Sequence, residues 1–287
     1  MIRYLVLCHD GDWTALHVGS ILQIRHGADM VRVVFSRELE LAPHWSHRIS
    51  NATDTTLIRL ADGTEIVSDH LDVVFNRLLY SQALHFHTSS MDDRGYAVME
   101  LYALWLSWLK SQPCPVINAP SVWGLGTQRR NHAEWLVRAH EAGFPVTDYR
   151  FTTDPRRFVV RDWVPHRKVL DAREGIQLIP IQAHLVGRRP CAYLQPLEPE
   201  RSRILVAGDK HVGPLGAQFR GPLKRLRATT GLDLFEVEMV RSAATAQQCS
   251  EWVLFEVNPF PNFDDPERVA ACVSMLETAA KMKEAPF

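Results

Sequence analysis

Apolar and polar positions along the chain follow two different periods, and the changes of period mark its elements. Residues 2–7 form a short apolar run of strand length, followed by the polar turn His9-Asp10-Gly11-Asp12, a helical pattern over 15–25 and a second apolar run over 30–35. That order predicts the opening of a βαβ unit. Residues 49–60 with the turn Ala61-Asp62-Gly63-Thr64 predict a hairpin, because Asp-Gly suits the positive φ angles of a tight turn. Residues 71–75 predict another buried strand. The segment 92–110, DDRGYAVMELYALWLSWLK, carries apolar residues at helical spacing on nearly all sides. It predicts a largely buried helix with Asp92 or Asp93 near its N-cap, its aromatic residues belonging to the core. Pro113 and Pro115 end it, and a strand opens at Val116-Ile117-Asn118 and breaks at Pro120.

In the second half, residues 128–142 predict a helix closed by Gly143. Between 149 and 197 the pattern changes to short β-rich pieces, 157–161, 177–182 and 192–197, which suggests a small separate lobe. A strand over 203–207, the turn Gly208-Asp209, a Gly- and Arg-containing loop over 213–221 and a helix over 222–230 come next. Two strands, 233–240 and 252–257, and a final helix over 266–283 complete the chain. There is no internal repeat and no low-complexity segment.

Composition narrows the function. The 287 residues are 46% hydrophobic, enough for a sizeable core and for two or three lobes. Lys and Arg number 32 against 33 for Asp and Glu, so nothing in the overall charge draws the chain to nucleic acid or to an anionic membrane. No apolar stretch approaches the roughly 18 residues of a membrane span, and the start does not read as a signal peptide. The five cysteines are scattered and never form a CxxC pair. They predict reduced thiols in a cytoplasmic setting, each a small buried hydrophobe.

Candidate chemistry gathers near the C-terminus. Because strand side chains alternate faces, Glu236 and Glu238 share one face of their strand, and Glu256 and Asn258 share one face of the next. If the two strands pair antiparallel, three carboxylates and an amide can converge, offering hard oxygen donors of the kind Mg²⁺ takes together with substrate phosphates. The bland reading is a solvated acidic sheet face. The apolar flanks of Glu256 in VLFEVNPFP weigh against it, since a buried carboxylate needs a partner.

At these residues the chain resembles a known family. GLDLFEVEMV, a spacer and WVLFEVNPFPNF resemble the C-terminal signature of the ATP-grasp superfamily, in the branch of glutathione synthetases and ribosomal-protein glutamate ligases. The resemblance implies that Glu238, Glu256 and Asn258 bind magnesium. AYLQPLEPERSRILVAGDKHVGP is similar to the family's adenine-binding hinge and the hairpin after it. By that likeness Gln195, Pro196 and Leu197 would meet the adenine, and Arg203 the phosphates or an acyl phosphate, which its planar fork suits. PVINAPSVWGLGTQRRNHAEWLVRAHEAGFPV is similar to the family's passage into its central lobe, so the likeness runs in order over about residues 113–265. It implies an α/β (α+β) ATP-grasp fold with an N-terminal α/β lobe (1–115), a small central β-rich lobe with its entry helix (116–198) and a C-terminal lobe carrying the metal (199–287). The implied activity is ATP- and Mg²⁺-dependent ligation of a small-molecule or peptide carboxylate to an amine through an acyl phosphate.

The chain departs from the family's pattern where two lysines normally grip the nucleotide. The first position offers Arg129 or Arg130; the second lacks a V-V-K-P strand and leaves Arg161, Arg167 and Lys168 as nearby cations. Between 148 and 199 only Gly175 and Gly187 are available for a phosphate flap. A degenerate ATP-grasp protein that binds nucleotide or a partner without turnover is therefore the second reading, and transfer to a hydroxyl a third. Arg220, between glycines, can bind phosphate or a substrate carboxylate. Arg77, after the strand 71–75, either reaches an acceptor carboxylate or caps its strand. The pairs His85 and His87, and His9 with Asp10 and Asp12, read first as polar surface. No G-x-S-x-G, Walker or dinucleotide fingerprint is present.

Overall fold

A computed structural model of the chain describes residues 1–51, 54–121, 124–126, 130–152, 164–171, 175–180, 191–194, 197–242 and 251–284. In chain order the elements are β1 (Tyr4–Cys8), α1 (Trp13–His26), β2 (Val31–Phe35), α2 (Ser36–Glu40), β3 (His44–Arg48), β4 (Thr55–Arg59), β5 (Glu65–Val67), β6 (Val73–Asn76), α3 (Met91–Lys110) and β7 (Val116–Ile117). They continue with α4 (His132–Glu141), β8 (Tyr149–Thr152), β9 (Val164–Asp171), β10 (Gly175–Pro180), β11 (Cys191–Leu194), β12 (Leu197–Ala207) and β13 (Lys210–Val212). The last are α5 (Arg220–Thr230), β14 (Leu234–Ser242), β15 (Trp252–Asn258) and α6 (Pro266–Glu284). Two compact units result, one of Met1–Arg129 with Phe263–Phe287, the other of Arg130–Asn262. No helix among the described residues is long and apolar enough to cross a membrane.

In the first unit the expected βαβ opening is present: β1 pairs parallel with β2 on one side and with β6 on the other, giving the parallel order β2-β1-β6-β7. The carboxyl ends of β1 and β6, where the strand order reverses, are where open α/β sheets receive ligands. There Arg77 is fully buried, its Nε 2.6 Å from the Asp12 carboxylate, while the other Asp12 oxygen accepts from the Ala15 amide and caps α1. Of the two roles expected for Arg77, the one fixed by these contacts is internal. The last helix, α6, packs on α1, and Thr14 exchanges hydrogen bonds with the Phe263 backbone at 2.9 and 2.8 Å.

The hairpin turn forms as expected, with Gly63 at φ 84° and the Asp62 carboxylate accepting from the Thr64 amide at 2.9 Å. Its strands differ from the expected single run over 49–60: β4 pairs with β5 and also with β3, which begins at His44. HWSHR is an edge strand whose inward positions, Trp45 and His47, are only half-buried, so its apolar signal is weak. His47 joins this sheet to α3, its two ring nitrogens each 2.9 Å from Thr56 Oγ1 and Ser107 Oγ.

The expectation of a largely buried helix over 92–110 is corrected. Helix α3 starts at Met91 under a Ser90 cap that accepts from the Asp93 amide, and it buries only Ala97, Trp105, Trp108 and Leu109. Met91, Tyr96 and Met99 are exposed. Helix α4 is also shorter than expected: its cap is Asn131, whose side chain accepts from the Glu134 amide at 2.8 Å.

The second unit carries two antiparallel sheets, β10-β9-β11-β8 and β13-β12-β14-β15. The first supplies the β-rich segment expected between 149 and 197, with β9 added to it; the expected strand 157–161 lies outside the described residues. In the second sheet, Ile204, Val206, Phe235, Val237, Met239, Leu254 and Val257 turn toward α4 and α5 and form the core with Trp135, Phe144 and Leu223. Because strand residues alternate, burying that face sends the intervening residues to the opposite face.

Candidate functional site

The opposite face of β12, β14 and β15 holds the polar residues. Register sets Arg203 on β12 beside Glu238 on β14, and Glu238 beside Glu256 on β15; one rung along, Glu236 stands beside Asn258. Antiparallel pairing of the last two strands, the condition for the acidic residues to meet, is therefore fulfilled. A one-residue bulge sits there, since Glu238 pairs with Glu256 but Met239 pairs with Leu254, which leaves Phe255 as the extra residue. Bulges re-aim side chains and are over-represented beside active sites. This one lets Phe255 enter an apolar cluster with Leu194, Val240 and Val253 while its neighbour Glu256 stays on the polar face.

Glu236 and Glu256 are each only 5% exposed and Asn258 9%, so these are buried polar groups and not a solvated sheet face. Two arginines stand beside Glu238, and one of them also beside Glu236. Arg203 Nε is 3.7 Å from Glu238 and 3.9 Å from Glu236. Arg201, two residues back on the same strand face, forms an ion pair with Glu238, and its guanidinium lies 5.0 Å from the centre of the Phe255 ring. Arg201 was not among the expected site residues; the family resemblance pointed to Arg203 alone on this strand. The Asn258 side-chain oxygen accepts from the Phe260 amide at 3.0 Å, which fixes the orientation of the amide.

The donor set suits a hard cation. Carboxylate and amide oxygens on adjacent strands, with cations close by to meet phosphate, match the way Mg²⁺ is usually shared between one or two protein carboxylates and a nucleotide. Among the described residues no three His, Cys, Asp or Glu side chains hold a metal by themselves. A cation at Glu238, Glu256 and Asn258 would thus be completed by substrate oxygens.

Gly213 maintains the close packing behind Arg203. Its φ is 141°, and a Cβ there would lie 2.3 Å from the Arg203 carbonyl oxygen, so the loop after β13 comes nearer to β12 than any side chain permits. Arg220 opens α5 and is exposed. Burial, and after it the Arg220 charge, hold the nearby His211 below its ordinary pKa. Arg130 precedes α4, forms an ion pair with Glu134 and lies 5.8 Å from the centre of the Trp135 ring. Leu197 opens β12 and packs on the Phe255 cluster. Lys168 lies on β9 opposite Leu178. Gln195, Pro196 and Arg161 lie outside the described residues.

Three cysteines, Cys8, Cys114 and Cys272, are free and buried, as expected of small hydrophobes. Burial pushes the thiols of Cys8 and Cys272 up to about 12 and that of Cys114 to about 11, far from the reactive thiolate range. At the strand-order reversal His9 is half-buried: its Nδ1 is 2.9 Å from Ser36 Oγ and its Nε2 accepts from the Leu79 amide at 2.9 Å.

No family model matches the chain, and no curated protein matches it. Solved structures do. A RiPP-associated ATP-grasp ligase of Chryseobacterium gregarium, in complex with ADP and a leader and core peptide, superposes with a TM-score of 0.73 at 15% identity, covering 100% of this chain and 98% of that one. The macrocyclase MdnC of Microcystis aeruginosa MRC, bound with precursor peptide MdnA, gives 0.74 at 12% identity over 96% of this chain and 100% of that one. The ATP-grasp ligase PsnB, complexed with minimal precursor, Mg and ADP, gives 0.70 at 15% identity over 98% of each chain. The chain has the ATP-grasp fold, mixed α/β as its sequence signature implied.

Proposed function

We propose that the protein is an ATP- and Mg²⁺-dependent carboxylate–amine ligase that activates its acid as an acyl phosphate, and that at least one substrate is a peptide. The observation that carries this reading is the row Arg203–Glu238–Glu256, with Asn258 one rung away and Glu256 and Asn258 buried, on one face of a sheet in an ATP-grasp fold. Peptide substrates are favoured because solved structures of the same fold contain leader, core or precursor peptides.

In this reading Glu238, Glu256 and Asn258 hold Mg²⁺, which when bound would offset the charge developing on the transferred phosphoryl group. Arg203 orients the phosphate and the acyl phosphate, and Arg220 meets a phosphate or substrate carboxylate. The adenine lies against Gln195, Pro196 and Leu197. Arg130, Arg161 and Lys168 supply the positive charge that lysines give elsewhere in the superfamily. For Arg130 this means exchanging Glu134 for a phosphate. The protein's own contribution is position and charge, with no covalent nucleophile. We read the sequence lobes as 1–115, 116–198 and 199–287, the last ending in a helix that belongs to the first compact unit, and three buried free cysteines accord with a reducing, cytoplasmic setting.

The test is Glu256→Gln, which keeps shape and removes the charge. Magnesium-dependent ADP release in the presence of a peptide pool should fall to background while the circular dichroism spectrum is unchanged. Turnover that survives the substitution would remove the assignment of Glu256. If the wild type itself gives no calorimetric heat with ATP and Mg²⁺, the enzyme reading as a whole fails.

A further inference from the structure

Arg201 has no part in the reading above, yet it is held on the polar face from two directions. Its guanidinium pairs with Glu238 and lies 5.0 Å from the centre of the buried Phe255 ring, a stack that pre-organises the planar fork. The side chain is still 48% exposed, against 39% for Arg203 and 13% for Glu238, so the fork can be reached from outside. Register sets its place on the face. The row that begins at Arg203 continues with Glu238 and Glu256; two residues back, about 7 Å along β12, the row that begins at Arg201 continues with Val240 and Val253. Those valines form, with Phe255, the apolar cluster on which Leu197 packs. Arg201 thus stands at the border between the apolar end of the face and its acidic row.

We propose that Arg201 binds the α- and β-phosphates of the nucleotide, adding from the metal-bearing sheet to the charge for which the chain has no V-V-K-P lysine. This inference rests on the ligase reading. Along the face the order is apolar cluster, guanidinium, carboxylates. A magnesium-bound nucleotide has the same order from its base through its inner phosphates to the metal-bridged end. With Leu197 against the adenine and Glu238 and Glu256 on the metal, the inner phosphates come between them, at Arg201. Arg203, in the acidic row itself, is left to meet the phosphoryl group that is transferred. Giving Glu238 over to a metal takes that carboxylate from Arg201, and the Phe255 ring keeps the fork in place for phosphate oxygens, which a planar guanidinium matches in pairs.

The test is isothermal calorimetry of ADP and of ATP, each in excess Mg²⁺, on the full chain. Arg201→Gln should weaken both about 10- to 100-fold and by equal factors, as for loss of hydrogen bonds to a charged group that both nucleotides carry. Arg203→Gln should weaken ATP more than ADP, because only ATP carries the phosphate to be transferred. Arg201→Lys keeps the charge and should lose less than Arg201→Gln. Should the glutamine variant misfold, the lysine variant keeps the test open, since its loss must again be equal for the two nucleotides. Were Arg201 only a counter-charge for Glu238, its removal would leave ADP binding unchanged, or tighten it by freeing the carboxylate for Mg²⁺; either result overturns the proposal. So does a loss confined to ATP, or a lysine variant that binds no better than the glutamine one. A wild type that binds neither nucleotide sinks the ligase reading itself, a different failure from a variant that matches a nucleotide-binding wild type.

Discussion

Removing the charge of Asp12 tests how the end of the parallel sheet is held together. Arg77 is fully buried and Asp12 nearly so, with the Arg77 Nε 2.6 Å from the carboxylate. In Asp12→Asn the side-chain oxygen can still cap α1 through the Ala15 amide, but the guanidinium loses the Asp12 charge beside it. Breaking a buried pair from one side costs about 3–5 kcal/mol, because the remaining charge keeps its desolvation penalty. With a urea slope of about 2 kcal/mol per M, the unfolding midpoint of the first unit should drop by about 2 M, read from its buried tryptophans. Asp12→Ala removes the cap as well and should cost about 1 kcal/mol more. The double variant Asp12→Asn with Arg77→Met should recover part of the loss, since the buried guanidinium is gone. A loss below about 1 kcal/mol in Asp12→Asn, or a double variant less stable than it, would refute the assignment of Arg77 to an internal pair.

Two other predictions concern the fold around the sites. His9 accepts from the Leu79 amide through Nε2, so its proton sits on Nδ1, facing Ser36, and burial holds its pKa below the ordinary value of 6.5. The unfolded chain therefore binds the proton more readily, and stability is lost as pH falls below about 6.5. Urea midpoints at pH 7 and pH 5.5 should differ more for the wild type than for His9→Gln, and equal differences would contradict the reading. Gly213→Ala should destabilise the second unit by about 1–3 kcal/mol, measured by thermal unfolding, because its Cβ would meet the Arg203 carbonyl and its φ disfavours a side chain.

The sequence by itself determined whatever depends on near neighbours along the chain. The DG turn, the glycine that closes α4, and the alternation that sets Glu236 and Glu238 on one face all follow from short-range sterics and hydrogen bonding. These act before the rest of the chain is in place. The signature around Glu256 and Asn258 was legible for the same reason: it lies within one strand and the turn after it. Tertiary structure decided what depends on pairing across distance. Register set Glu238 beside Glu256, the bulge at Phe255 kept Glu256 on the polar face, and the strand next to them brought Arg201 to Glu238. Arg77, which sequence left between two roles, was settled by Asp12, 65 residues away. Helix α3 marks the limit most clearly. Its composition predicted burial on nearly all sides, but composition carries no information on which surface covers each side, and among the described residues the buried positions lie on the Trp105 and Trp108 side.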